Sequence, residues 1–336
     1  MSTPTRKLVL VVGATGKQGQ ALIRALYYSG EFHIWALTRS LTSPAAKSLA
    51  AHTTPEQVTL VQGDLDKPET MRALFEDAKS TRGQVWGVFC VLAFPGLGAN
   101  ADGEEKQGKN LADLAAEYGV TSFVFSSVER GGEYNDENAV LDRRAKVLIE
   151  RHVKMLGESK GLPWTIIRPG FFMENYDGTI GSVAVGVLKK GLKPATTNQL
   201  VAAEDIGRVG AAVFRDPEEW KHQILLASGE SSTMQEQEAA YKRATGKSLP
   251  AVPGFIASPL IALNGHTKTL IADIERVHAA NRDGLCPEVA AQTAAARRAY
   301  PEMQTLEMWA KNRGGKWAQD KGWNQASVGN MVRGKQ

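Results

Sequence analysis

Val12-Gly13-Ala14-Thr15-Gly16-Lys17-Gln18-Gly19 is the stretch from which the rest of the chain is read. It follows an apolar, β-branched run, Lys7–Val12. It opens a segment, Gln18–Ser29, in which Ala21, Leu22, Ala25 and Leu26 recur at helical spacing until Gly30 stops it. A continuous apolar run reads as a strand buried on both faces, and the spacing after it reads as a helix. Between them, Gly13 permits a tight turn and Gly16 lets backbone N–H groups approach a diphosphate. Gly19 lets the helix lie against the sheet. The helix N-terminus adds orphan N–H groups and the positive end of the helix dipole, both suited to an anion. The spacing is G-x-x-G-x-x-G, not G-x-G-x-x-G. The strand–loop–helix context therefore carries the dinucleotide reading, with Ala14, Thr15, Lys17 and Gln18 completing the cradle.

The alternation continues outward. His33–Thr38, Val58–Gln62, Val85–Leu92, Ser122–Ser126 and Thr165–Arg168 read as strands. Pro68–Ala78, Glu104–Tyr118 and Ala139–Ser159 read as helices. Repeated β-α units with apolar strands predict an α/β fold, a Rossmann doubly wound parallel sheet with helices on both faces. The second half changes character. Val183–Leu188, Ala202–Phe214 and Gln235–Thr245 read as helices, Ile224–Ala227 as one more strand, and the rest as irregular Pro- and Gly-containing stretches. The expected organisation is an NADP-binding domain over 1–169, rejoined at about 200–228. A smaller α/β substrate lobe covers 170–199 and 229–310, and a basic extension covers 311–336.

Composition narrows the function classes. With 336 residues, 43% hydrophobic and 23% charged, the chain is globular, not disordered. Two cysteines, Cys90 and Cys286, exclude a disulfide framework and point to a reducing compartment, the cytoplasm, or the nucleus for a regulator. No leader and no apolar run approaching ~20 residues is apparent, so no membrane span is expected. Six histidines show no ligand spacing, so no metal is expected. The net charge of +4 sits in 311–336, which carries +5 and leaves the body near neutral. No nucleic-acid-binding domain is therefore expected.

Cofactor choice rests on the tip of the second strand. An acid about 20 residues past the loop bonds a ribose 2′-hydroxyl, whereas an arginine there accommodates a 2′-phosphate. Arg39 lies 20 residues after Gly19, with no acid at the tip. A guanidinium grips phosphate bidentately, so NADP is expected over NAD. Asp64, after the third strand, can accept a bond from an adenine amino group; Asp66 is the better candidate to cap the helix ahead of Pro68.

These residues resemble the NmrA-like proteins, atypical members of the short-chain dehydrogenase superfamily. The later matches are Lys106-Gln107-Gly108-Lys109-Asn110-Leu111-Ala112, Ser126-Ser127-Val128, and Lys146 with Glu150. Arg168-Pro169-Gly170-Phe171-Phe172-Met173-Glu174-Asn175 and Glu204-Asp205-Ile206-Gly207 complete the set. The resemblance implies that Gly13 to Gly19 hold the pyrophosphate and Arg39 the 2′-phosphate. It implies Asp64 and Leu65 at the adenine, and Leu92, Ala93 and Phe94 flanking the ribose and nicotinamide. It brings Lys106 and Lys146 to the nicotinamide side, with Phe172, Met173, Glu174 and Asn175 closing over that end. Where family members often carry a polar residue, this chain has Ala93.

Ordinary short-chain dehydrogenases use Tyr-x-x-x-Lys for proton transfer. None of the seven tyrosines here has a lysine four residues on, and Asp142 stands four before Lys146. Two readings follow. One is an NADPH-dependent reductase of a carbonyl or imine, with Lys146 as the proton source and an apolar substrate held by Phe171, Phe172, Met173, Phe255, Ile256 and Leu260. The other is a non-catalytic NADP(H) and redox sensor that regulates a protein partner, with Lys146 only holding the cofactor. Ser126 and Ser127, at the tip of the fifth strand, read equally as cofactor or substrate contacts and as turn caps.

Overall fold

The protein is described by a computed structural model over residues 6–93 and 101–312. Phe94 and residues 313–336 of the extension lie outside the described residues.

Seven parallel strands form the main sheet: β1 (Lys7–Val11), β2 (Phe32–Thr38), β3 (Val58–Gln62), β4 (Gly87–Cys90), β5 (Ser122–Ser126), β6 (Trp164–Pro169) and β9 (Gln223–Ala227). Their order is β3-β2-β1-β4-β5-β6-β9, so the winding reverses between β1 and β4. Register pairs Val9 with Ile34 on one side and with Gly87 on the other. The apolar runs divide by alternation. Val9 and Val11 join the core on one face, and Leu8, Leu10 and Val12 join the core on the other. Successive side chains of a strand point to opposite faces, so a strand covered on both sides must be apolar throughout.

Helices α1 (Lys17–Tyr27) and α7 (Ala203–Arg215) cover the first face. They approach so closely that a Cβ at Gly207 would stand 2.4 Å from the Ala21 backbone. Helices α3 (Pro68–Arg82), α4 (Asp102–Glu117) and α5 (Leu141–Lys160) cover the second. A short helix, α2 (Pro44–Ala51), was not expected. It starts from Ser43, whose hydroxyl accepts the Ala46 N–H, with Pro44 in the first turn.

The smaller lobe holds a second sheet of β7 (Phe171–Phe172), β8 (Thr197–Val201) and β10 (Glu230–Thr233) in the order β10-β8-β7. The expected return at Leu200 is thus into this second sheet. The main sheet is rejoined by α7 and β9. The second sheet's core is built with α6 (Gly178–Gly191), α9 (Met234–Thr245), α11 (Gly265–Arg282) and α13 (Leu306–Asn312), with α10 (Gly254–Leu263) against α6, while α8 (Pro217–Trp220) and α12 (Glu288–Ala299) pack on the main sheet. Helices α10, α11 and α12 occupy stretches read as irregular. Pro259 and the flanking glycines hide α10, and packing supplies what its propensity lacks. Helix α12 contributes Ala295 and Ala296 to the core of the main sheet's first face. Among the described residues, no helix is long and apolar enough to cross a membrane.

Candidate functional site

A doubly wound sheet leaves a crevice at its carboxyl edge where the winding reverses. Here that point is the carboxyl end of the β1–β4 pair, and the glycine loop leaves β1 there. Val12 N–H donates to Phe89 O at 2.9 Å, which fastens the loop to β4. Gly13 has φ +72°, and a Cβ there would lie 2.7 Å from the Val91 carbonyl, so both the turn and the contact require glycine. A Cβ at Gly19 would lie 2.2 Å from Gly13 O, inside any tolerable contact. Gly16 caps α1 in an extended conformation, its own N–H bonded to Gly13 O at 2.9 Å. Gln20 Nε2 donates to Thr15 O at 2.8 Å and stiffens the loop. The first turn of α1 carries no acid, so the positive end of its dipole is not offset from within the helix.

One loop contact escaped the sequence reading. Ser126 Oγ donates to Gln18 Oε1 at 2.6 Å and ties the start of α1 to the tip of β5. Beside it, the hydroxyl of Ser127 is buried without a protein partner. An orphaned buried hydroxyl at a carboxyl edge suits a ligand contact.

On the adenine side, Arg39 is exposed just past β2, its carbonyl bonded by Gln62 Nε2 at 3.2 Å. Asp64 is half-buried and accepts the Asp66 N–H at 3.1 Å. Asp66 does not cap α3. Its Oδ1 accepts from Gln107 Nε2 at 2.7 Å, and Lys67 occupies the cap position without a side-chain bond. Leu65 packs on the core.

On the other side, Leu92 is buried and Ala93 exposed. Lys106 is exposed on α4. Lys146, on α5, forms an ion pair with Glu104 of α4. Glu104 is 2% exposed and Lys146 13% at the side chain. Burial pushes the Glu104 carboxyl above its ordinary range, Lys146 opposes this, and Asp142 adds to it. The field of the pair reaches the buried thiol of Cys90, the last residue of β4. Burial raises that thiol to about 12 and so keeps it neutral. Glu104 Oε2 has no partner.

The segment expected to close over this end forms β7 and a short 3₁₀ turn, Met173–Tyr176. Phe172 is half-buried and Asn175 exposed. Met173 is wholly buried in the lobe's own core with Tyr176 and Leu188. Glu174 Oε1 accepts the Ala203 N–H at 3.0 Å. Burial raises its carboxyl, and Lys17 of the loop is among the groups that counter this. The six apolar residues expected to line one pocket are dispersed. Met173 is core, whereas Phe255 is 77% and Ile256 41% exposed on α10.

Behind the edge lies a buried charge network. Glu150 receives Arg130 Nη1 and Nη2 at 2.8 and 2.9 Å. It also receives Arg168 Nε and Nη2 at 3.2 and 2.7 Å. Among the described residues, no cluster of His, Cys, Asp or Glu could hold a metal ion. Glu238 of α9 pairs with Lys189 of α6 at 2.5 Å.

Comparison with known proteins agrees with this architecture. A model of the NmrA-like family matches residues 5–310. The chain is 27% identical over 292 residues to an NmrA-like family domain-containing oxidoreductase, ptmS, of Penicillium ochrochloron, covering 76% of this chain and 80% of that protein. It is 28% identical over 258 residues to the nitrogen metabolite repression protein nmrA of Emericella nidulans, covering 72% of this chain and 66% of that one. Among solved structures, NmrA, a negative transcriptional regulator, in complex with NADP aligns with a TM-score of 0.65 at 21% identity. It covers 92% of this chain and 95% of that one. The same regulator with NAD aligns with a TM-score of 0.65 at 22% identity and the same coverage.

Proposed function

Because the chain belongs to the NmrA-like family, we propose that it binds NADP(H) along the carboxyl edge of the seven-stranded sheet and reduces a carbonyl or imine of an apolar small molecule. The observation that carries the cofactor reading is the Gly13–Gly19 loop at the winding reversal, where a side chain at Gly13 or Gly19 is sterically excluded. The fit is supported by the helix end left uncompensated from within α1, by exposed Arg39, and by the orphaned Ser127 hydroxyl. Backbone N–H groups from Gly13 to Gly19 would hold the pyrophosphate. Arg39 would grip the 2′-phosphate, and Asp64 and Leu65 would meet the adenine. Leu92, Ala93, Lys106, Lys146, Phe172, Glu174 and Asn175 would surround the nicotinamide half. When bound, the cofactor supplies a hydride. The chain orients the ring, excludes water and holds a proton at Lys146 Nζ. Relatives named oxidoreductases support this reading.

A second reading, an NADP(H)-sensing regulator of a protein partner, is favoured by one observation. The Lys146 ammonium is already engaged by Glu104, and Asp142 stands where a tyrosine would complete the usual pair. A relative named for nitrogen metabolite repression supports it. The test is NADPH oxidation over a panel of carbonyls and imines. Turnover lost in Lys146→Ala, with NADPH affinity kept, is the result expected for the reductase. No turnover, with a conformation that follows the NADPH/NADP⁺ ratio, would sink it and leave the sensor.

A further inference from the structure

We propose that Glu104 and Lys146 together set the relative affinity of this protein for oxidised and reduced nicotinamide cofactor. The inference rests on the cofactor reading above and goes beyond it by assigning the redox-state preference to two residues. The nicotinamide ring carries a positive charge when oxidised and none when reduced. Whatever fixed charge faces it therefore acts on one form only. Across a doubly wound sheet the adenine half lies over β1 and β2, and the nicotinamide half lies on the β4–β5 side of the reversal. The pair lies on that side, since both of its charges act on Cys90, the last residue of β4.

Three features make it the controlling charge. It is shielded, with side-chain exposures of 2% for Glu104 and 13% for Lys146, so its field is screened far less than that of a surface pair. It is internally balanced, one ammonium against one carboxylate, so the intact protein presents little net charge to the ring. It is oriented, because only Oε1 of Glu104 is bonded to Lys146 while buried Oε2 has no partner. The other charged or titratable neighbours do not duplicate it. Asp142, on α5, adds negative potential at Glu104, the Cys90 thiol is neutral, and Lys106 is exposed to solvent.

Removing one partner unbalances the pair in a defined direction. Glu104→Gln leaves a lone ammonium and disfavours NADP⁺. Lys146→Met removes the ammonium that opposes the burial-raised pKa of Glu104. The site then becomes a lone carboxylate, and favours NADP⁺, only in alkaline solution, so the titrations are run at about pH 9. The experiment measures dissociation constants of NADP⁺ and NADPH by isothermal titration for wild type, both single variants and the double variant. The Kd ratio of NADP⁺ to NADPH should rise about tenfold in Glu104→Gln, which is about 1.4 kcal/mol. It should fall about tenfold in Lys146→Met and return near the wild-type value in the double variant. A merely structural role would not give opposite signs. Ratios within twofold of wild type in both single variants, or moved in the same direction, overturn the assignment while the cofactor reading stands. A wild-type protein that binds neither form overturns both. Should Glu104→Gln not fold, Lys146→Met decides alone, since its ratio must still fall.

Discussion

Glu150→Gln is the sharpest test of how the carboxyl edge is held. The carboxylate is 2% exposed, between Arg130 at 2% and Arg168 at 0%. It accepts bonds from both guanidiniums, and Arg130 Nε also reaches Asp136 Oδ1 at 2.6 Å. Glutamine keeps the volume but removes the charge and turns an amide donor toward a guanidinium. Arg130 would then keep Asp136 as its paired carboxylate, and Arg168 only Glu133 at 3.5 Å. Stranding a buried partner in this way costs about 3–5 kcal/mol. The titration of Glu150 gives a second measure. Burial alone would raise its pKa, but Arg168 and Arg130 outweigh burial and hold it at about 2. Against about 4.3 in the unfolded chain, that depression corresponds to about 3 kcal/mol. A depressed carboxylate stabilises above its unfolded value. Its contribution is therefore complete above about pH 4.3 and lost as pH falls toward about 2. Urea unfolding at pH 7 should show a loss of about 3–5 kcal/mol at unchanged slope, and the variant should lack part of the wild-type acid limb. A loss under about 1 kcal/mol, or an acid limb identical to wild type, would refute the reasoning.

Three further outcomes are expected. Arg39→Ala should raise the Kd for NADP at least about tenfold more than that for NAD, because a bidentate phosphate contact is lost; equal weakening by titration calorimetry would contradict the assignment. Gly19→Ala should abolish cofactor binding and lower the melting temperature, since its methyl would sit 2.2 Å from the Gly13 carbonyl. An unchanged melting curve would mean that α1 can retreat from the loop. Asp205 is buried, and burial pushes its carboxyl up to about 6 despite bonds from Gln304. A raised carboxyl favours folding below its unfolded value, about 3.9, and loses that advantage as pH rises through 6. Asp205→Asn should therefore gain on wild type by about 2 kcal/mol between pH 4 and pH 6 in urea titrations, and a pH-independent difference would be evidence against it.

The glycine triplet, the period of the apolar runs and Arg39 are local features, and the sequence states them directly. Leu8 and Val9 must face opposite cores because strand geometry alternates. Gly13 and Gly19 must be glycines because a turn and a close approach leave no room for Cβ. That is why the main sheet and the glycine loop were legible in the sequence. The stretches of α10 to α12 read as irregular. Pro259 and the flanking glycines mask α10, whereas the alanine-rich α12 and the Leu270, Ile271 and Ile274 spacing of α11 are helix signals that the neighbouring Pro and Gly overshadow. The charge pattern of the site belongs wholly to the tertiary structure. Glu104 and Lys146 are 42 residues apart, Gln18 and Ser126 are 108 apart, and Arg130 and Arg168 meet on Glu150 from the ends of two strands. No spacing rule joins such groups. Which charge is buried, and against what, is fixed only when the elements pack, because burial and partner distance set electrostatic energy. The sequence by itself determined the sheet and the glycine loop at its winding reversal. The folded chain decided that the lysine expected to do chemistry is already paired with a buried carboxylate.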